Sequence, residues 1–88
     1  MPEKLRDVSA RDLEVRAEIG ANIRRVRQQR DKTIQWLADE VGVSGATIAR
    51  IEQGNQVITT DVLDRIAHAL NTTVMNLYRA APSSKKAG

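Results

Sequence analysis

The chain has 88 residues, a formal net charge of +3, 28% charged residues and no Phe, and its aromatic residues are Trp36 and Tyr78. That suits one small domain with an aliphatic core, and charge is too interspersed with apolar residues for wholesale disorder. The absence of Cys excludes disulfides and thiolate metal sites, and a lone His68 cannot build a zinc site. The start, "MPEKLRDVSARDLEVR", has no apolar h-region, and no run approaches the roughly 18 apolar residues of a membrane span, so a cytoplasmic protein is expected.

Residues 1–18 read as an N-terminal extension, partly helical. Ser9 is the expected N-cap of a long first helix, with Asp12 in its first turn. Val15, Ile19, Ile23 and Val26 recur at steps of four and three, one apolar stripe ending near Arg30. Gly20 is a point at which this helix could break. Residues 21–35 carry Arg24, Arg25, Arg27, Arg30 and Lys32 against Asp31 alone. Such a stretch suits a polyphosphate, but charge alone equally describes a solvated helix face.

Thr33 is placed to cap a short second helix, in which Ile34, Leu37, Ala38 and Val41 share one buried face. Gly42 suits the left-handed conformation that ends it. Ser44 then caps a third helix with Ile48 and Ile51 as its apolar side and Gly54 closing it. After the connection "NQVITTDVL", Thr59 or Thr60 caps a fourth helix, with Asp61 near its positive end and Val62, Leu63, Ile66, Ala67 and Leu70 inward. Asn71 is the expected left-handed stop. Thr73 caps a brief fifth helix carrying Val74, Leu77 and Tyr78, and residues 80–88 have the composition of a disordered tail.

The informative unit is residues 34–53: helix, turn at Gly42, helix. Ala38 is small where the two helices must cross closely. This is helix-turn-helix geometry, although a pair of helices joined by glycine also occurs in ordinary bundles. The wider context is more specific. "IRRVRQQR", "LADEVGVS", "TIARIEQG" and "LDRIAHALN" fall, without a gap, in a stretch from Ile19 to Tyr78 that resembles the Cro/cI-like (XRE-type) helix-turn-helix family. The resemblance implies an all-α, five-helix, λ-repressor-like DNA-binding domain over residues 19–79. Its first helix would be extended at the N-terminus, and the domain would dimerise and bind operator DNA.

The same resemblance implies which residues act. Positions matching Gly45, Ala46, Thr47 and Arg50 face the major groove, and Arg27 and Glu52 match an ion pair joining the first helix to the reading helix. Gly45 and Ala46 offer no hydrogen bond to a base, and Ala46 at best meets a thymine methyl. Thr47 suits a base edge or a phosphate, and the Arg50 guanidinium matches guanine O6 and N7. Direct readout is therefore expected to be sparse, with a share left to DNA shape. The bare tip also fits a helix that has lost DNA binding.

Phosphate contacts are expected from Lys32, Thr33, Gln35, Ser44, Asn55 and Gln56, helped by the free N–H groups at the start of the second helix. The chain departs from its relatives here. Ile34 stands where Gln is common and Lys32 where Leu is common, and Asn55 and Gln56 are neutral where relatives are often basic. Trp36 stands where Glu is usual and is expected to pack against a neighbouring element. His68 reads as a surface residue. Asn71, Thr72, Met75 and Tyr78 form either a dimer surface or an unrelated exposed patch.

The extension carries Lys4, Arg6, Arg11 and Arg16 against Glu3, Asp7, Asp12, Glu14 and Glu18, which argues against an arm that wraps DNA. No nucleophile–base pair or metal cluster can be assembled, so no catalytic residue, metal or cofactor is expected. The expected partners are double-stranded DNA and a second copy of the chain, with any further protein partner unknown and no membrane. The reading is a bacterial or phage-type transcriptional regulator, as a repressor more than an activator. An antitoxin, a restriction–modification controller or a protein-interaction module of the same fold are the alternatives.

Overall fold

The computed structural model describes residues 10–78. Among the described residues there are five helices and no strand: α1 (Ala10–Gln29), α2 (Ile34–Val41), α3 (Gly45–Glu52), α4 (Thr60–Ala69) and α5 (Val74–Tyr78). The expected Ser9 cap and the tail at 80–88 lie outside the described residues.

Four helix starts use one device. A Ser or Thr hydroxyl accepts from the backbone N–H three residues on: Thr33 from Trp36 at 2.9 Å, Ser44 from Thr47 at 3.1 Å, Thr59 from Val62 at 3.2 Å and Thr73 from Asn76 at 3.1 Å. Each such cap contributes about 1 kcal/mol. Thr59, rather than Thr60, is thus the cap of α4. The stops are left-handed residues: Asp31 after α1, Gly42 after α2, Gly54 after α3 and Asn71 after α4. At Gly42 (φ 90°), the N–H groups of Gly42 and Val43 both donate to the Ala38 carbonyl, at 2.8 and 3.0 Å.

The core gathers Ile19 and Ile23 from α1, Leu37, Ala38 and Val41 from α2, Ile48 and Ile51 from α3, Leu63, Ile66, Ala67 and Leu70 around α4, and Leu77 from α5. Val15, Val26, Ile34 and Val62, expected on inner faces, are only partly buried at its margin. Trp36 is half-buried against the same core, and the Lys32 ammonium lies 4.7 Å from its ring centroid.

Gly20 does not break α1. It is buried within a continuous helix, and a Cβ there would overlap the Ile51 carbonyl oxygen and stand 2.7 Å from that of Glu52. The missing side chain is what lets α1 meet the last turn of α3. Gly54 (φ 78°) repeats the device, since its Cβ would stand 2.9 Å from the Ala17 Cα.

Polar clamps complete the frame. Arg27 Nε and Nη2 donate to the Glu52 carboxylate at 2.7 and 3.1 Å, a bidentate pair with side chains 10% and 4% exposed. The same guanidinium donates through Nη1 to the Lys32 carbonyl at 2.9 Å. The Arg27 pKa is raised, chiefly by the hydrogen bond to Glu52, so the cation persists throughout the neutral range. Asn22, also buried, donates to the Leu77 carbonyl at 2.7 Å and accepts from Arg25 at 2.7 Å, pinning α5 to α1. Arg30 donates to the Leu70 and Asn71 carbonyls at 2.7 and 3.2 Å, and Arg65 donates to the Val41 carbonyl at 3.3 Å. Both set a cation at the negative end of a helix.

Two substitutions test this frame. Gly20→Ala gains about 1 kcal/mol of helix propensity. It forces backbone from backbone, so it should lower net stability by about 1–3 kcal/mol in denaturant unfolding. Arg27→Met strands the buried Glu52 carboxylate and should cost about 3–5 kcal/mol. Arg27→Met with Glu52→Leu should recover much of that loss, since burial of the pair itself is costly.

Candidate nucleic-acid interface

α3 turns one side to the core and the other outward. Ile48, Ile51 and Glu52 are buried, while Ala46 and Arg50 are exposed and Gly45, Thr47 and Ala49 are partly covered. The 3.6-residue period produces this division, because the inward residues fall three and four apart. Arg50 is therefore presented by a helix whose opposite face is fixed.

The Arg50 side chain is not a loose one. Its Nε donates to Gln56 Oε1 at 3.1 Å, across the turn that follows α3. Thr47 is engaged as well, its hydroxyl sharing a 2.9 Å hydrogen bond with that of Ser44 while Ser44 caps the helix. Ser44 and Thr33, both expected near phosphate, thus serve first as helix caps. Gln35 donates to Asp39 at 2.9 Å, and Asn55 reaches Gln53 at 3.4 Å. Gln56, expected beside phosphate, accepts from Arg50 through Oε1.

The leading end of α3 lies beside the start of α2. A Cβ on Gly45 would stand 3.0 Å from Gln35 Oε1 and 3.9 Å from Ile34 Cγ2. Gly45 is where the first turns of α2 and α3 come together. Their N–H groups, and the positive ends of two helix dipoles, consequently lie near one another. Arg24, Arg27, Ile34, Ala49, Glu52 and Gln53 line one depression of about 220 Å³ on this side. That joins the exposed Arg24 of α1 to the outward flank of α3. In the sequence Arg24 is legible only as part of a charged stretch, and nothing there singles out Gln53. A helical wheel puts Arg24 one turn from Gln28 and off the Ile19–Ile23 stripe, but nothing in the pattern brings it beside Ala49.

The basic stretch divides once it is folded. Arg27 is buried against Glu52, Arg30 holds the carbonyls after α4 and Arg25 meets Asn22. Exposed Arg24 and Lys32, with Arg50 on α3, supply the cationic character of this face. A larger groove of about 580 Å³, lined by Glu40, Asp64, His68, Thr73 and Val74 among others, includes no α3 residue. His68 is exposed there, as expected. Groove reading by a projecting helix uses a convex surface, so the larger cavity is not where that chemistry lies.

Among the described residues, no His, Cys, Asp or Glu cluster could hold a metal, and no helix is long and apolar enough to cross a membrane. Asn71, Met75 and Tyr78 are exposed and Thr72 is half-buried. Met75 (66%) and Tyr78 (51%) are among the large apolar side chains that the fold leaves uncovered.

Comparison with known proteins agrees with this geometry. A family model described as a helix-turn-helix domain matches residues 18–77. A competence pilus inhibition repressor of Acinetobacter baylyi is 31% identical over 71 residues, which are 81% of this chain and 64% of that protein. The chain thus spans less than two thirds of that relative's length. The clp gene regulator ClgR of Corynebacterium glutamicum is similar in structure, with a TM-score of 0.71 at 27% identity over 72% of this chain and 67% of that one. An HTH_3 family transcriptional regulator of Vibrio cholerae gives a TM-score of 0.71 at 25% identity, over 76% of this chain and 38% of that one. With five helices among the described residues, a helix-turn-helix at α2–α3 and this match over most of its length, the chain belongs to the Cro/cI-like (XRE-type) helix-turn-helix DNA-binding family.

Proposed function

We propose that this protein is a transcriptional regulator that binds double-stranded DNA in a sequence-specific manner as a homodimer, and that its action is repression. The observation that carries the reading is the division of α3. Its buried side is locked by Ile48, Ile51 and Glu52, and its open side presents Arg50 beside a tip bare enough to enter a groove deeply. Arg50 is the strong base reader, suited to guanine O6 and N7, and Ala46 offers a methyl contact. The first turns of α2 and α3, with Lys32 and Arg24, meet phosphates. The likeness to a competence pilus inhibition repressor favours repression over activation.

The domain organisation belongs to the same proposal: residues 19–79 form the DNA-binding unit, with 1–18 as an extension and 80–88 as a tail. Two copies would place their α3 helices in successive major grooves, about 34 Å apart on one face of the duplex. Exposed Met75 and Tyr78, with Asn71 and Thr72, supply the surface through which they pair.

Selection of bound sites from a random duplex pool tests the reading. It should return a two-fold symmetric site with few fixed positions per half, including a guanine that Arg50→Ala no longer prefers, a loss of about 1–3 kcal/mol of discrimination. Equal binding of all sequences by the wild type would sink it. Arg24→Ala and Lys32→Ala should instead weaken binding uniformly and each reduce the salt slope by about 1. For assembly, sedimentation of Met75→Asp should show a larger monomer fraction than wild type at equal concentration. An unchanged dimer, or a monomeric wild type, would remove the proposed surface.

A further inference from the structure

The 3.1 Å hydrogen bond from Arg50 Nε to Gln56 Oε1 joins the outward side of α3 to a residue six positions later, in the connection to α4. Arg50 is exposed, so no packing holds its long side chain. Gln56 is half-buried, and it lies between exposed Asn55 and exposed Val57. Next to it the backbone is anchored: Ile58 packs on the core and Thr59 caps α4. The acceptor is therefore carried by the framework while the donor is carried by the reading helix.

We infer that Gln56 is a specificity-determining positioning residue, which holds the Arg50 guanidinium in the orientation that reads a guanine. The inference rests on the proposed base-reading role of Arg50. A guanidinium has five N–H donors in a rigid planar fork. With Nε committed to Gln56, four donors remain on the two terminal amino groups. Among the described residues these make no hydrogen bond to the protein. The fork is then aimed end-on, with one amino group for guanine O6 and the other for N7. Rotamer freedom that would otherwise be lost on meeting DNA is already restricted in the free protein. The neutrality of Gln56 matters as much as its acceptor. A carboxylate in its place would cancel the charge of Arg50, and a Lys or Arg would repel it and offer no acceptor. A basic residue at this position would add a phosphate contact at the expense of orienting the reader.

The test uses the full chain and the duplex returned by random-pool selection, together with three duplexes altered at the guanine pair that Arg50→Ala ceases to prefer. Binding of all four is measured for wild type, Arg50→Ala, Gln56→Ala, Gln56→Met and the double variant Arg50→Ala with Gln56→Ala. Gln56→Ala and Gln56→Met should each lower the preference for guanine by about three- to ten-fold, the equivalent of freeing one rotamer-rich side chain. In the Arg50→Ala background, Gln56→Ala should change the preference no further, because the two act through one contact. Retained preference in both Gln56 variants would overturn the inference. So would a loss spread evenly over the four duplexes, which would mark Gln56 as a phosphate contact. A change in preference that persists without Arg50 would overturn it too. If no position in the selected site depends on Arg50, the base-reading proposal itself fails, and the brace fails with it.

Discussion

The Arg27 guanidinium is the point at which three parts of this domain are held to one another. It leaves α1, closes on the Glu52 carboxylate at the last turn of α3, and reaches the Lys32 carbonyl in the turn before α2. Planar geometry makes this possible. A lysine could not make the two parallel bonds to the carboxylate and still donate to a carbonyl. The pair sits beside the Gly20 crossing, where α1 touches the Ile51 and Glu52 carbonyls. Contact without a side chain sets the distance between the helices, and the ion pair sets their rotation. A buried pair adds little net stability over apolar residues of similar size, but it admits few alternative registers. For a helix that must aim one face outward, register is the property that matters.

This arrangement decides how much charge is left for a partner. Five cations crowd residues 21–35. Folding directs Arg27 to Glu52, Arg30 to the carbonyls that follow α4, and Arg25 to Asn22. Each satisfies a polar group that would be costly to leave unpaired. What faces outward near α3 is smaller and differently placed: Arg24 from α1, Lys32 over the Trp36 ring, and Arg50. A count of basic residues along the chain therefore overstates the electrostatic footprint of the folded surface. Backbone N–H groups at the neighbouring starts of α2 and α3 form the other part of that footprint, and they do not appear in any charge count.

The fold was readable from the sequence because its signals are local. Caps at Thr33, Ser44 and Thr73, left-handed stops at Gly42 and Asn71, and apolar residues three and four apart each fix one element, and they agree with one another. The role of Gly20 is not legible for the opposite reason. Its propensity argues for a break, whereas the residues that require its bareness, Ile51 and Glu52, lie some thirty positions away. Asn22 and Arg30 were equally hidden, since their partners, Leu77 and Leu70, are backbone carbonyls of distant helices. Of the polar residues expected at the phosphates, Ser44 and Thr33 have partners inside the protein because a short polar side chain near a helix end meets its own backbone first, and Gln56 has one in the Arg50 side chain.

Gly45 marks the place where the starts of α2 and α3 lie side by side. A Cβ here would stand 3.0 Å from Gln35 Oε1, the end of an exposed side chain that can yield by a few tenths of an ångström. The same closeness brings the capped starts of two helices, each with its positive dipole end, to one edge of the surface. A groove-reading helix with a bare tip gives up base contacts at its leading end. On the proposed reading it would depend on the few side chains further along, Arg50 above all. Under that condition the orientation of one guanidinium weighs more heavily than it would on a helix with several readers. Under the proposed reading, this is how the contact between Arg50 and Gln56, modest in energy for an exposed pair, would bear on selectivity.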